Sequence, residues 1–206
     1  MQRVATHQTL GLAVWPEETL FRQALLITAA VVFIGLTAQV SWHYPVIETK
    51  AGEPVPITGQ TFAVLVTGAL LGARLGTMAV FAYLAAGICG APVFADWGRY
   101  YTTFSGATGG YLIGFIFAAF IVGWCAERGW DRSSWILLPM LIANAAIYAP
   151  GLLWLDGWKH VMGFHFNTFD AGLWPFIPGD LAKLVAAALV LPAGWSAVQR
   201  VRGDDA

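Results

Sequence analysis

Long uncharged apolar runs recur along this chain, and their length is what most limits the folds open to it. The first run, QALLITAAVVFIGLTAQVSW (Gln23–Trp42), carries no charge and matches the roughly 20 residues that a helix needs to cross a bilayer. Charged residues make up only 11% of the chain, against about 25% in soluble globular proteins. That is too little charge to coat a water-facing surface, so we predict an all-α integral membrane protein.

Six transmembrane helices are predicted, with both termini on the same side. The apolar stretch from Gly59 to Gly90 is too long for one comfortable span, and GALLGARLG within it indicates a tight turn at Gly72–Gly76. Each half of that stretch is short, so a partly re-entrant hairpin stays open beside a full one. The remaining spans are Gly106–Ala126, Trp135–Leu155 and about Phe176–Val198.

The distribution of Lys and Arg predicts that both termini are cytosolic, because cytoplasmic segments carry the excess of these residues. The predicted division is a cytosolic lead at 1–22, a membrane domain at 23–198 and a cytosolic tail at 199–206. The start of the last span then lies at the outer face. In this orientation three basic residues lie outside, Lys50, Arg99 and Lys159, and seven lie inside, Arg3, Arg22, Arg74, Arg128, Arg132, Arg200 and Arg202.

Nucleic-acid, nucleotide and metal sites are not predicted for this chain. The net charge is -1 and no basic patch occurs, so the electrostatic footprint of a nucleic-acid partner is missing. GATGGYLIG lacks the Lys-Ser/Thr ending of a phosphate-binding loop, so ATP hydrolysis, if it drives transport, must belong to another chain. The spacing of His160, His165 and Asp170 matches no helix-borne metal pair. Cys89 and Cys125 are expected to be small buried apolar residues.

Asp180 and Lys183 are the strongest candidates for a ligand site. They lie in FIPGDLAKLVAAALV, where Pro178 favours a helix start and the residues after Lys183 are almost wholly apolar. Residues three apart share one face of a helix, and ionisable groups in a membrane span usually face a bundle interior or a cavity. We predict a polar clamp for a small ligand, with a purely local ion pair as the alternative.

Four further residues are weaker candidates for the same site. Asn144 is an amide deep in an apolar span, where it could bind a ligand or only join two helices. Arg99 could pair with a ligand carboxylate or belong to an interfacial aromatic belt. Tyr111 could wall an apolar pocket, and Gln60 lies near the outer end of a span.

Glycines also recur at four-residue spacing, which makes a flat seam on a helix. Such a seam predicts close packing, within this chain as the favoured interpretation and against a partner membrane subunit as the alternative. The two rows are Gly68, Gly72 and Gly76, and Gly106, Gly110 and Gly114.

Three motifs in order resemble the BioY family, the biotin-specific substrate-binding (S) components of energy-coupling-factor vitamin transporters. PVPITGQTFAVLVTGALLGARLGTMAVFAYLAAGICGAPVFA (Pro54–Ala95) is similar to the central segment of that family. GATGGYLIGFIFAAFIVGWCAER (Gly106–Arg128) is similar to its next helix, although Ala107 stands where the family usually has Pro. PFIPGDLAKLVAAALV (Pro175–Val190) resembles its last helix. The resemblance extends over about 23–195.

This resemblance implies six helices around an outward-facing pocket in a bacterial or archaeal plasma membrane. It implies that the chain captures biotin without catalysis of its own. It also implies partners, a transmembrane scaffold (T) subunit and two ATP-binding subunits. The polar residues of the family's site would correspond to Asp180 and Lys183, and with less sequence support to Arg99 and Asn144.

Other functions are weighed against this one. Another small vitamin is the nearest alternative within the same class. From a different class, a small membrane enzyme acting on lipid could use Asp180 with His160 or His165, although a converged acid, base and electrophile are not evident. A channel would need a continuous polar lining that these spans lack.

Overall fold

The computed structural model describes residues 8–17, 19–42 and 55–202, and this part of the chain is built almost entirely of helices. Two very short strands, β1 (Ser41–Trp42) and β2 (Ile57–Thr58), pair antiparallel. The helices are α1 (Leu10–Val14), α2 (Leu20–Ala38), α3 (Gln60–Ile88), α4 (Tyr100–Ser105), α5 (Gly109–Ala126), α6 (Leu137–Met162), α7 (Thr168–Gly172) and α8 (Ile177–Arg202), with single 3-10 turns at Ala95–Trp97, Trp130–Arg132 and Ser134–Ile136.

Within the described residues, five helical segments are long and apolar enough to cross a membrane, namely α2, α3, α5, α6 with its preceding turn, and α7 together with α8. One of them, α3, is folded back on itself at Gly72, whose φ of 83° and ψ of 177° are not helical. A Cβ on Gly76 would lie 2.9 Å from Gly68 Cα, whereas eight residues of straight helix would separate the two by about 12 Å. The prediction of a tight turn that splits this stretch into two helices is therefore confirmed.

Glu127 holds the turn of α3 from the end of α5. Its Oε1 accepts a hydrogen bond of 2.8 Å from Ala73 N, the first amide of the second half of α3. A helix leaves its first amides without partners inside the helix, and a carboxylate there is also favoured by the helix dipole. Gly72 is required at this point because its φ is positive and a Cβ would lie 2.5 Å from Glu127 Oε1.

Glycines of both rows pack inside this chain, which is the favoured interpretation of the sequence, but neither row is a seam along one helix, because Gly72 breaks α3 and Gly106 lies before the start of α5. Gly68 faces the backbone of Ala119 on α5, and Gly114 faces the backbone of Ile147 on α6. As a result α5 lies between α3 and α6 and carries much of the buried core. By contrast, α2 contacts mainly α3 and exposes large apolar side chains such as Leu20 and Leu36.

The first and the last helices of the described chain meet at one end of the bundle. Leu10 and Ala13 of α1 pack against Trp195 of α8, and Arg22 donates from Nη2 to Gly11 O at 3.1 Å. We call this the turn end, because α3 reverses there, and the opposite end the cavity end. The described residues near the start and near the finish therefore lie at one end of the bundle, as an even number of spans requires.

Several boundaries differ from the expectations. Helix α6 continues through Pro150 to Met162, so it ends seven residues beyond the predicted span Trp135–Leu155, in a stretch that was expected to be a loop. The polar residues at this point are compatible with a helix, because Asp156 and Lys159 lie on one helix face and pair with each other, with Lys159 Nζ 2.6 Å from Asp156 Oδ1. Cys125 is buried as expected, but Cys89 is exposed, since it follows the last turn of α3 at the cavity end.

Candidate functional site

A cavity of about 530 Å³ lies among the helix ends at the cavity end, within the range of about 300–1,000 Å³ that is usual for small-molecule sites. Its wall combines polar and apolar side chains. The polar ones are Thr58, Gln60, Thr61, Asp96, Thr103, Thr108, Tyr111, Tyr148, Asp180 and Lys183, and the larger apolar ones are Phe94, Leu112, Phe115, Ile147, Trp158 and Phe176.

Asp180 is the charged centre of this wall. Its side chain is 7% exposed, and Lys183 Nζ donates to its Oδ1 at 2.9 Å. Tyr148, on α6, donates from its hydroxyl to Asp180 Oδ2 at 2.5 Å. A carboxylate has about four acceptor sites, so each oxygen can still accept a hydrogen bond from a ligand. The local ion pair therefore exists, and it also lines the cavity, so the two interpretations of the sequence are compatible.

The start of α8 places these groups. Asp180 lies in the first turn of the helix, and its amide donates to Phe176 O at 2.8 Å. A negative charge is favoured near a helix N-terminus. Lys183 follows one turn later on the same face, where its side chain is 19% exposed, and the apolar remainder of α8 packs into the bundle.

Gln60 anchors a second polar group on the opposite wall, at the start of α3. Its Nε2 donates to Tyr83 Oη at 2.6 Å, and Thr58 Oγ1 donates to its Oε1 at 2.9 Å. Tyr83 in turn donates to Val93 O at 3.0 Å. This network ties β2 and both halves of α3 to the segment that follows α3, and it fixes the Gln60 side chain.

Aromatic rings form the apolar part of the wall. The Tyr111 ring stacks on Phe176 at 6.4 Å between centroids, and it meets Tyr148 edge-on at 6.2 Å. The Tyr111 hydroxyl points away to Gly172 O, to which it donates at 2.9 Å. Trp158 adds an indole from the last part of α6 and packs on Phe164 at 5.2 Å.

The sequence-derived candidates divide into two sets. Asp180, Lys183, Tyr111 and Gln60 come together around the cavity, although they lie on three different helices. Asn144 and Arg99 are not among the residues that line it. The Asn144 side chain is buried in α6, and within the described residues its Oδ1 has no hydrogen-bond partner. Arg99 is exposed, one residue before α4.

Tyr148 and Trp158 are the main site residues that sequence reasoning missed. Tyr148 is four residues after Asn144, one helical turn along the same apolar span. Its hydroxyl, on the same helix face as the Asn144 amide, was the sequence feature that could have identified it. Trp158 fell in the stretch expected to be a loop. Among the described residues, no group of three metal-ligating side chains is found.

The arrangement is suited to binding rather than to bond breaking. It offers a carboxylate as acceptor, an ammonium group and an amide as donors, and aromatic faces to cover an apolar body. A buried polar site of this kind discriminates strongly, because a ligand that lacks a matching group leaves the site's own polar atoms unpaired.

Comparisons with known proteins agree with this geometry. Residues 7–200 match the model of the BioY family. The chain is 39% identical over 137 residues to the biotin transporter BioY of Thermotoga maritima, which covers 66% of this chain and 79% of that relative. It is 34% identical over 173 residues to the biotin transporter BioY of Rhizobium etli, which covers 80% and 87%.

The fold is shared with a solved structure, that of the S-component for biotin from an ECF-type ABC transporter. The two superpose with a TM-score of 0.69 over 91% of this chain and 95% of that chain, at 24% sequence identity. At that identity the likeness shows a common fold, an all-α S-component bundle.

Proposed function

The chain belongs to the BioY family, and we propose that it is the biotin-binding membrane subunit of an ECF-type importer. The relatives named above are biotin transporters, and the chain is a multi-pass membrane protein and a transporter component, not an enzyme. The observation that carries the proposal is the group formed by Tyr148, Asp180 and Lys183 on the wall of the cavity.

The chemistry of biotin fits this wall. Its ureido ring has two N–H donors and one carbonyl acceptor, so Asp180 would accept from the ring N–H groups and Lys183 would donate to the carbonyl. The aromatic side chains Tyr111, Phe176 and Trp158 would cover the apolar bicyclic body. Gln60 and the threonine hydroxyls would serve the polar ends of the ligand.

Arg99 is exposed near the cavity end, and we keep it as a candidate for the biotin carboxylate. Asn144 is kept as a supporting residue behind the wall.

Transport would need further chains. We propose a transmembrane scaffold subunit and two ATP-binding subunits as partners, with ATP hydrolysed by those partners and no cofactor in this chain. The cavity would open to the outside of a bacterial or archaeal plasma membrane. The charge distribution supports this orientation, because cytoplasmic segments carry the excess of Lys and Arg and the turn end holds Arg22, Arg74, Arg128, Arg132 and Arg200.

Equilibrium binding by the purified, detergent-solubilised protein tests the proposal. Radiolabelled biotin should bind at one molecule per chain, and an excess of thiamine, riboflavin or lipoate should not displace it. Mass spectrometry of small molecules released from freshly purified protein should identify biotin. Displacement by one of those vitamins would favour a different substrate, and chemical conversion of a bound lipid would favour a membrane enzyme.

A further inference from the structure

Two consecutive residues at the rim of the cavity, Asp96 and Trp97, have left-handed backbone conformations, with φ of 54° and 59°. Neither is glycine, and L-residues disfavour this region because Cβ crowds the carbonyl oxygen. Such a conformation persists only where the surrounding structure over-determines it. Asp96 lines the cavity together with Phe94, Ala95 and Gly98, so the strained turn is part of the binding wall.

Gln39, one residue beyond α2, holds this turn at two points. Its Nε2 donates to Phe94 O at 3.0 Å, and its Oε1 accepts from Trp97 N at 2.9 Å. The same Nε2 also donates to Gly35 O at 3.0 Å, which fixes the amide against its own helix. Only a side chain with both a donor and an acceptor can make these bonds. One bonded backbone atom, Phe94 O, lies before the strained pair, and the other, Trp97 N, lies within it.

Neighbouring anchors keep the segment from moving as a whole. Ser41 Oγ donates to Asp96 Oδ1 at 2.6 Å, and the Phe94 ring is 1% exposed and packs edge-on against Tyr83 at 5.6 Å between centroids. Gly87 gives that ring its space, because a Cβ there would overlap it. With Phe94 fixed, the Gln39 amide is one of the groups that hold Asp96 and Trp97 in their left-handed conformation, beside the backbone bonds Phe94 N to Gly98 O at 3.1 Å and Gly98 N to Ala95 O at 2.9 Å.

We propose that Gln39 is a positioning residue for the ligand site, acting through the backbone of residues 94–98. It clamps the rim in a strained conformation before a ligand arrives, so that a ligand does not have to order it on binding. Preorganisation of this kind raises affinity by reducing the cost of ordering. The choice of biotin as the measured ligand rests on the proposed function.

A replacement without hydrogen bonds tests the clamp. Gln39→Met keeps the length and apolar stem of the side chain but removes all three of its hydrogen bonds, and we expect biotin affinity to fall about tenfold. Gln23→Met, at the opposite end of α2, is the matched control and should bind like the wild type. Wild-type affinity in Gln39→Met would overturn the inference.

A rescue variant separates positioning from a general structural role. Trp97 does not line the cavity, and glycine adopts positive φ without steric cost. The double variant Gln39→Met/Trp97→Gly should therefore bind biotin roughly threefold more tightly than Gln39→Met alone, because glycine at position 97 removes the steric resistance to a positive φ. If the double variant binds no better than Gln39→Met alone, strain at the rim is not what Gln39 controls.

A ligand-free measurement distinguishes failure of this inference from failure of the proposed function. The Trp97 amide donates to Gln39, so hydrogen–deuterium exchange over residues 93–99 should be faster in Gln39→Met than in the wild type or Gln23→Met. Unchanged exchange would overturn the clamp whatever the protein binds. Faster exchange in a protein that does not bind biotin would support the clamp and contradict the proposed substrate.

Discussion

The two ends of the helical bundle each bury a carboxylate, but only one of the two faces open space. At the cavity end, Asp180 is bonded by Tyr148 and Lys183 and lines a cavity of about 530 Å³. At the turn end, Asp131 is fully buried and accepts a hydrogen bond of 2.6 Å from Trp195 Nε1, and it is not part of that cavity's wall. Burial of a charge therefore does not by itself identify a ligand site.

The surroundings of Asp131 are those of a structural joint. Burial raises the pKa of this carboxyl to about 6, although the Trp195 hydrogen bond lowers it in part. The Arg132 guanidinium lies 4.6 Å from the centre of the Trp195 ring. The same contacts fasten the Trp130–Arg132 turn to α8 near Trp195, which suggests that this acid serves stability and that Asp180 serves binding.

The same substitution at each of the two acids tests whether Asp180 serves binding and Asp131 does not. Asp180→Asn should weaken biotin binding at least about 10-fold, or about 1.4 kcal/mol, because it removes the charge that accepts from the ureido N–H groups. Asp131→Asn should leave binding unchanged. Equilibrium titration of both purified variants is the measurement, and equal losses in the two would contradict the assignment.

The pH dependence of stability should belong to the turn end. A carboxyl with a pKa near 6 in the folded protein and about 3.9 when unfolded binds its proton more tightly in the folded state. Its contribution to stability is therefore full below about pH 4 and is lost as pH rises through about 6. The loss amounts to about 3 kcal/mol, since each pKa unit corresponds to about 1.4 kcal/mol.

Asp131→Asn should remove this pH dependence because an amide does not titrate in this range, while its oxygen can still accept the hydrogen bond from Trp195. Apparent melting temperatures of the wild type should fall between pH 4 and pH 7, and those of Asp131→Asn should fall less. A variant with the same profile as the wild type would show that another group is responsible.

Two glycines should respond in opposite ways to alanine. Gly72→Ala at the turn end should destabilise the protein by roughly 1–2 kcal/mol, because its φ is 83° and the new Cβ would meet Glu127. Gly157→Ala in α6 at the cavity end has nothing within 4 Å of the new Cβ and should be neutral or stabilising. Thermal unfolding compares the two, and tolerance of Gly72→Ala would contradict the hairpin.

A smaller effect is expected at Tyr148. Tyr148→Phe removes the hydrogen bond to Asp180 while the ring stays to pack on Tyr111, so biotin affinity should fall roughly threefold to tenfold. The apparent melting temperature, measured alongside, reports whether packing has changed. Unaltered affinity would remove Tyr148 from the site and leave Asp180 with Lys183 alone.

The sequence predicted what depends on local properties of the chain. Apolar length located the spans, and the glycines of GALLGARLG located the reversal of α3, because a positive φ favours glycine. The position of Asp180 in the first turn of α8 also followed from local signals, since Pro178 and the Gly-Asp pair precede an apolar run. These features need no knowledge of how the helices pack.

What the sequence could not supply depends on packing between helices. Tyr148 and Asp180 are 32 positions apart, and only the rotation of α6 against α8 brings them into contact. The same rotation determines that Asn144 lies behind the cavity wall and not on it. Helix α6 also continues past Pro150 for twelve residues, although proline removes one backbone hydrogen bond of a helix.

Determining the structure of the protein with biotin bound tests the central claim most directly. The account predicts biotin in the cavity at the cavity end, with a ureido N–H group about 2.7–3.2 Å from an Asp180 carboxylate oxygen. The Lys183 ammonium should lie within reach of the ureido carbonyl. Biotin bound elsewhere, or in this cavity with its ureido ring turned away from Asp180, would contradict the account.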